Sequence, residues 1–292
     1  MNHGKAMLAA ARLCALACAA LAAPLLLPAT AGAVTAVSTN WAGYVALPTT
    51  GGPRFSSVSG TWRQPTANCT SSRQSYSAEW VGLGGYSERA RSLEQIGTDA
   101  DCTSAGRARY STWFELLPAA PVNIAIKVRP GDLMSASVTV RGSHVTLRIR
   151  DLTTAARFTT TVRAAKVDGS SAEWIVEAPS ACASASRCRT LPLADFGVVS
   201  FSSATATAGG HTAAIGDPSW LATALELRQG VYDVVATRSE APSQPTSTLV
   251  LATPSPAADT SGAFSVDWHE QAVASEAPSG PTLPGFSGGS PQ

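Results

Sequence analysis

Histidine is scarce, and its scarcity removes several chemistries. The 292 residues hold four histidines, and His3 precedes the apolar N-terminal run, leaving His144, His211 and His269. There is no His-Glu-x-x-His pair, which rules out the helix-borne zinc site of many metallopeptidases; His269-Glu270 lacks the second histidine. His144 falls on the polar face of a hairpin, the place of a solvated residue. There is no phosphate-binding loop and no dinucleotide fingerprint. Gly285-Phe286-Ser287-Gly288-Gly289 matches the nucleophile-elbow spacing, but no strand precedes it and no helix follows it, so the match is chance. Lysine is nearly absent after the first 33 residues, where only Lys127 and Lys166 occur. Net charge is also lacking: removal of Lys5 and Arg12 takes the formal value from +1 to −1. That balance argues against nucleic acid or an anionic membrane as a partner. No internal repeat is visible, and beyond residue 33 no apolar run approaches a transmembrane length.

The N-terminus reads as a secretory signal peptide over residues 1–33. Lys5 and Arg12 form its basic part, Cys14 to Leu27 its apolar part, and Ala31-Gly32-Ala33 its small-x-small cleavage pattern. The mature protein is then expected to be extracellular, with no membrane attachment. Two of the six cysteines leave with that segment. Cys69, Cys102, Cys182 and Cys188 remain, and four cysteines in an exported chain suggest two disulfides with three possible connectivities. Cys182 and Cys188 bracket a short loop, so a local bridge is simplest, and Cys69–Cys102 follows. No Cys-x-x-Cys or paired histidine favours a metal instead, and no cofactor is expected. Asn68-Cys69-Thr70 is a glycosylation acceptor only in form, since its cysteine is expected to pair.

Period-2 alternation dominates what is left. Met134, Ala136, Val138 and Val140 alternate with polar neighbours, as do Val145, Leu147 and Ile149 after Gly142-Ser143. This pattern is a hairpin with one buried and one wet face. Similar runs lie near Phe55–Trp62, Ala78–Gly82, Leu93–Gly97, Tyr110–Leu116, Val198–Thr207, Val231–Ala236, Thr248–Ala252 and Phe264–Trp268. Pro218 to Arg228 alone hints at a helix, although its Ala-Leu-Glu-Leu fits a strand equally. Many short strands of this spacing predict an all-β, two-sheet antiparallel sandwich over residues 34–274. Residues 275–292 are Pro/Gly/Ser-rich and expected to be disordered.

The chemistry that is present is carboxylate, amide and indole. In Ala172-Glu173-Trp174-Ile175-Val176-Glu177, alternation puts Trp174 and Val176 on a core face and turns Glu173 and Glu177 to solvent or a cleft. At about 3.3 Å per residue the two glutamates stand about 13 Å apart, beyond either glycosidase spacing. A partner for a reactive glutamate therefore comes from elsewhere. Three further clusters qualify: Glu79-Trp80-Val81-Gly82, Glu94-Gln95-Ile96-Gly97-Thr98-Asp99 and Trp113-Phe114-Glu115-Leu116-Leu117-Pro118. Any one alone reads as a half-buried strand with a solvated acid.

In order, these segments resemble the glutamic peptidases of the eqolisin type, the pepstatin-insensitive acid endopeptidases. Ser38-Thr39-Asn40-Trp41-Ala42-Gly43 is similar to that family's Ser-Asn-Trp segment, with one residue extra. Glu79 to Gly82 is similar to its Trp-Val-Gly strand, Gln95-Ile96-Gly97-Thr98-Asp99 to its Gln-x-Gly-x-Asp strand, and Trp113 to Pro118 to its Trp-Tyr-Glu-x-x-Pro strand. Glu173 to Glu177, followed by the Cys182 and Cys188 loop, is similar to the segment whose second glutamate is catalytic. Where family members carry extra acids near the cleft, this chain has Gly84, Ser111 and Ser180.

The resemblance implies a concanavalin A-like sandwich with a catalytic Gln95 and Glu177, expected on neighbouring strands. Glu177 would act as general base and then acid, and Gln95 would donate to the oxyanion and help hold the water. Trp41, Trp80 and Trp113 either line and dry a substrate cleft or fill the core. Glu115 either approaches the substrate or is solvated; Glu173 is expected to be supporting. Polypeptide substrates and a monomeric state follow as expectations. Two competitors remain open. One is a secreted domain that binds or cleaves glycans, in which Glu177 would pair with Glu115 or Glu79. The other is a catalytically inactive relative.

Overall fold

The computed structural model describes residues 34–69, 73–87, 90, 92–184, 187–229, 249–257 and 261–270. The expected signal peptide, the C-terminal tail and the strand expected near Val231–Ala236 lie outside the described residues. All secondary structure among those residues is β. In chain order the strands are β1 (Val34–Ser38), β2 (Trp41–Pro48), β3 (Phe55–Arg63), β4 (Ala78–Gly84), β5 (Leu93–Cys102) and β6 (Ala108–Leu116). Next come β7 (Val122–Asn123), β8 (Leu133–Arg141), β9 (His144–Asp151), β10 (Arg157–Arg163), β11 (Ala172–Glu177) and β12 (Ser180–Ser184). The last six are β13 (Arg187–Thr190), β14 (Val198–Ala208), β15 (His211–Ala214), β16 (Trp220–Arg228), β17 (Val250–Pro254) and β18 (Phe264–Trp268).

Fourteen of these strands join in one hydrogen-bonded path, β10-β9-β8-β3-β14-β18-β17-β16-β2-β11-β4-β5-β6-β7; β1 adds to β16, β15 adds to β14, and β12 and β13 form a separate ribbon. The β18-β17 stretch links two halves that pack face to face, which gives the expected sandwich its two layers. Trp174 of β11 donates to Ser59 O of β3 at 2.8 Å, and Trp62 of β3 donates to Thr98 Oγ1 of β5 at 3.0 Å, so each layer anchors an indole in the other. Phe114 and Phe158 stack across the same interface with ring centroids 5.9 Å apart. Gly60 makes room for this packing: a Cβ there would lie 2.9 Å from Trp174 Cδ1. Among the named strands pairing is antiparallel except for β1, which runs parallel to β16. At the β14–β15 turn Gly209 (φ +59°) and Gly210 (φ +84°) both sit at positive φ, the two-residue geometry that glycine favours.

The segment that hinted at a helix is strand β16, whose edges pair with β2, β1 and β17. Sheet pairing overrides the local helix preference of Ala-Leu-Glu-Leu. Cys69 and Cys102 form the expected disulfide. Cys188 is disulfide-bonded too, and Cys182 is its cross-strand partner in the β12–β13 ribbon.

Candidate active site

Three rows of residues cross the face of the second layer that points away from the sandwich core. The middle row runs Leu225, Gly43, Ile175, Trp80, Gly97 and Trp113 over β16, β2, β11, β4, β5 and β6. One side of it holds Thr223, Val45, Glu173, Gly82, Gln95 and Glu115. The other holds Trp41, Glu177, Ala78, Asp99 and Ser111. Val45, Ala78, Trp80, Leu93, Trp113, Ile175 and Leu225 make a second apolar cluster here, with Trp41 packed on it. β4 and β11 are thus buried on both faces. Glycine makes the floor possible. A Cβ on Gly82 would meet the Trp80 ring at 2.9 Å, and one on Gly97 would meet Glu79 O at 2.4 Å.

Glu177 is the centre of a donor nest. Asn40 Nδ2 donates to Oε1 at 3.2 Å and Trp80 Nε1 to Oε2 at 2.9 Å. Asn40 itself is held at Ser38, whose hydroxyl donates to Asn40 Oδ1 and accepts from the Trp41 backbone N–H. Burial pushes the Glu177 carboxyl up to about 7; Trp80, Trp41 and Asn40 oppose that rise, and Glu115 adds to it. Trp41 and Trp80 meet edge to face, with centroids 5.0 Å apart. The Trp41 indole N–H is buried without a hydrogen-bond partner of good geometry.

Gln95 is 5% exposed. Its Nε2 donates to Glu115 Oε2 at 2.7 Å, and its Oε1 is buried without a partner. Burial raises the Glu115 carboxyl, and the Gln95 bond opposes that. Gln95 and Glu177 share the face but not adjacent strands: β4 lies between β5 and β11. The expectation of neighbouring strands is corrected in that respect, and the intervening strand supplies Trp80 and the bare Gly82. Glu115 lies near enough to raise Glu177 while bonded to Gln95, which ties the three side chains into one cluster.

Trp113 Nε1 donates to Asp99 Oδ1 at 2.6 Å and Ser111 to Oδ2. Burial lifts Asp99 to about 6. All three expected cleft tryptophans therefore belong to this face, packed in its cluster, with Trp80 and Trp113 each donating to a carboxylate.

Other acids depart from the sequence expectation of solvated groups. Glu173 is fully buried, with no hydrogen-bond partner of good geometry for either carboxylate oxygen, and burial raises it well above its ordinary value. Glu79 faces the sandwich core, where Ser77, Gln64 and Thr98 donate to it; burial pushes it up to about 8. Glu94 is buried beside the backbone N–H of Asp168 and raised by burial to about 7. Sequence reasoning missed Asn40 and Asp168 as contributors. Asp168 fills the space over Gly84, where an added Cβ would fall 2.5 Å from its own Cβ. A carboxylate thus returns, from the segment before β11, to a position where the chain has glycine.

Matching to known families decides the class of protein. The Peptidase A4 family matches residues 39–248. The chain belongs to that family. It is 31% identical over 216 residues to Aspergillopepsin-2 of Aspergillus niger, covering 66% of this chain and 71% of that protein. In fold it is similar to scytalido-glutamic peptidase crystallised with a transition state analog inhibitor, with a TM-score of 0.61, 21% identity, and coverage of 80% of this chain and 99% of that one. SCP-B, an eqolisin in complex with the tripeptide Ala-Ile-His, superposes with a TM-score of 0.57 at 21% identity, covering 80% and 99%. The protein is an eqolisin-type glutamic peptidase, a peptide-bond hydrolase. Within this A4 peptidase, His211 pairs with Asp217 at 3.3 Å and His269 with Thr253 at 2.8 Å. Neither pair joins both a hydroxyl and a carboxylate to one imidazole, so among the described residues no Ser-His-Asp relay is assembled.

Proposed function

We propose that this peptidase is a secreted, pepstatin-insensitive acid endopeptidase that works through Gln95 and Glu177. The observation that carries the reading is the convergence on one face of a half-buried, donor-ringed Glu177 with Gln95, linked through Glu115. Ionised Glu177 takes a proton from water as the oxygen adds to the scissile carbonyl carbon. The Gln95 amide N–H stabilises the oxyanion that forms. Glu177 then returns its proton to the leaving nitrogen as the C–N bond breaks. Trp41 and Trp113 border the peptide and exclude water, while the fully buried Trp80 holds Glu177. One carboxylate and one amide do not reproduce the paired carboxylates that pepstatin addresses.

Export is supported by the basic and apolar N-terminal pattern, by the cleavage pattern at Ala31-Gly32-Ala33 just before β1, and by the Cys69–Cys102 bridge. We read the mature protein as a monomer whose peptidase domain spans 34–274. The test is hydrolysis of an unfolded protein from acid to neutral pH, with and without pepstatin, by wild type, Gln95→Ala and Glu173→Gln. Acid activity untouched by pepstatin, a loss of about 10²–10³ in kcat for Gln95→Ala, and a milder effect for Glu173→Gln are expected. Inhibition by pepstatin, or an unimpaired Gln95→Ala, would refute it.

A further inference from the structure

Among the described residues Gln95 has one side-chain hydrogen-bond partner, Glu115. Nε2 donates to Glu115 Oε2 at 2.7 Å while Oε1 is buried and unpaired. An amide carries two donors at one end and an acceptor at the other, and half a turn of the terminal torsion exchanges them. An ionised carboxylate only accepts, so it draws the amide N–H groups toward itself and leaves the oxygen stranded. A protonated carboxyl can donate. It would bond Oε1, satisfy the stranded atom and release the NH₂ group.

The oxyanion role of Gln95, on which this inference rests, needs those N–H groups free. We propose that Glu115 is a positioning residue: protonated, it donates to Gln95 Oε1 and turns the amide N–H groups toward the scissile carbonyl; ionised, it captures them. The active state thus carries one proton on Glu115 and none on Glu177.

Several strands bring groups to Glu115. β5 brings Gln95 opposite it, with Asp99 and Asp101 farther along the same face. β7, the other neighbour of β6, contributes Val122 and Asn123 and no titratable group. β6 itself offers Arg109, opposite Asp101 at the far end, and β11 brings Glu177 and, in the same row as Gln95, Glu173. Among the described residues no Lys, Arg or His pairs with Glu115. Burial opposes ionisation of Glu115 and the Gln95 bond favours it, while burial and the nearby Glu115 raise Glu177 to about 7 against the donors Asn40 and Trp80, so the two carboxyls hold their last proton in competition. The proton on Glu115 is not consumed in turnover.

The experiment is the pH dependence of kcat/KM for wild type, Glu115→Gln, Glu115→Leu and Glu177→Gln on one peptide, with folding checked by thermal melting. A glutamine at 115 always offers a donor to Oε1. Its alkaline limb should move up by about one pH unit or more. Glu115→Leu should lose about 10-fold or more in kcat with KM little changed. An alkaline limb for Glu115→Gln that stays in place or moves down overturns the proposal. If Glu177→Gln is inactive while that limb is unmoved, only the Glu115 role fails; full activity in Glu177→Gln removes the dyad and the Glu115 role together. Neutron diffraction of wild-type crystals on either side of the limb needs no variant. Amide deuterons turned from Glu115 on the acid side support the proposal, and deuterons facing Glu115 at both pH values overturn it.

Discussion

Trp80 on β4 and Glu177 on β11 are neighbours on adjacent strands, and the indole N–H donates to Glu177 Oε2 at 2.9 Å. Trp80 is fully buried, so this donor is shielded from water and holds the carboxylate in one orientation. Trp80→Phe keeps the ring packing and removes the donor. A hydrogen bond to a charged group contributes about 1.5–3 kcal/mol, equivalent to about 1–2 units of pKa. The acid limb of kcat/KM should therefore move up by about one pH unit, with the thermal midpoint little changed. An unmoved limb would show that Trp80 does not tune Glu177.

Stability should fall as pH rises. Glu79 is pushed by burial to about 8 and Glu94 to about 7, and burial raises Glu173 as well, from an ordinary value of 4.5. At pH 4 and below these carboxyls are largely protonated in both folded and unfolded chains, and the stabilisation is present. Above about 4.5 the unfolded chain releases protons that the folded one retains, so stability declines until pH passes about 8. The slope is at most about 1.4 kcal/mol per pH unit for each group. Melting curves between pH 3.5 and 8 should show a falling midpoint, less steep in Glu79→Gln. A midpoint that rises over that range would contradict the buried carboxyl account.

The Cys69–Cys102 bridge closes a loop of 33 residues by sequence separation. In the chain-entropy picture it contributes about 3–4 kcal/mol. The double replacement Cys69→Ser, Cys102→Ser should lower unfolding free energy by about that amount in a urea titration. A change below about 1 kcal/mol would mean that the reduced chain is already constrained there.

Much of this was legible in the chain. Alternation in Met134–Ile149 marked a hairpin because only one of its faces is buried, and the structure buries Met134, Ala136, Val138, Val145, Leu147 and Ile149. The face partition of β11 was equally readable, with Trp174 and Val176 in the sandwich core and Ile175 in the outer cluster. Alternation does not report a second buried face, so the depth of Glu173, Glu79 and Glu94 was hidden. Register was hidden as well. Only pairing shows that β4 separates Gln95 from Glu177, or that Asp168, 84 positions from Gly84 along the chain, covers it. Asn40 gave a weak signal, since its bond to Glu177 spans 137 positions.

In the proposed mechanism Glu177 and Gln95 form one catalytic unit. The decisive measurement is kcat/KM of Glu177→Gln on an unfolded protein at acid pH, with the fold verified by thermal melting. A fall of about 10³–10⁴-fold or to background is expected, since no other group at the site replaces the base. Wild-type proteolysis by Glu177→Gln, blocked instead by a serine-directed or metal-chelating inhibitor, would contradict it.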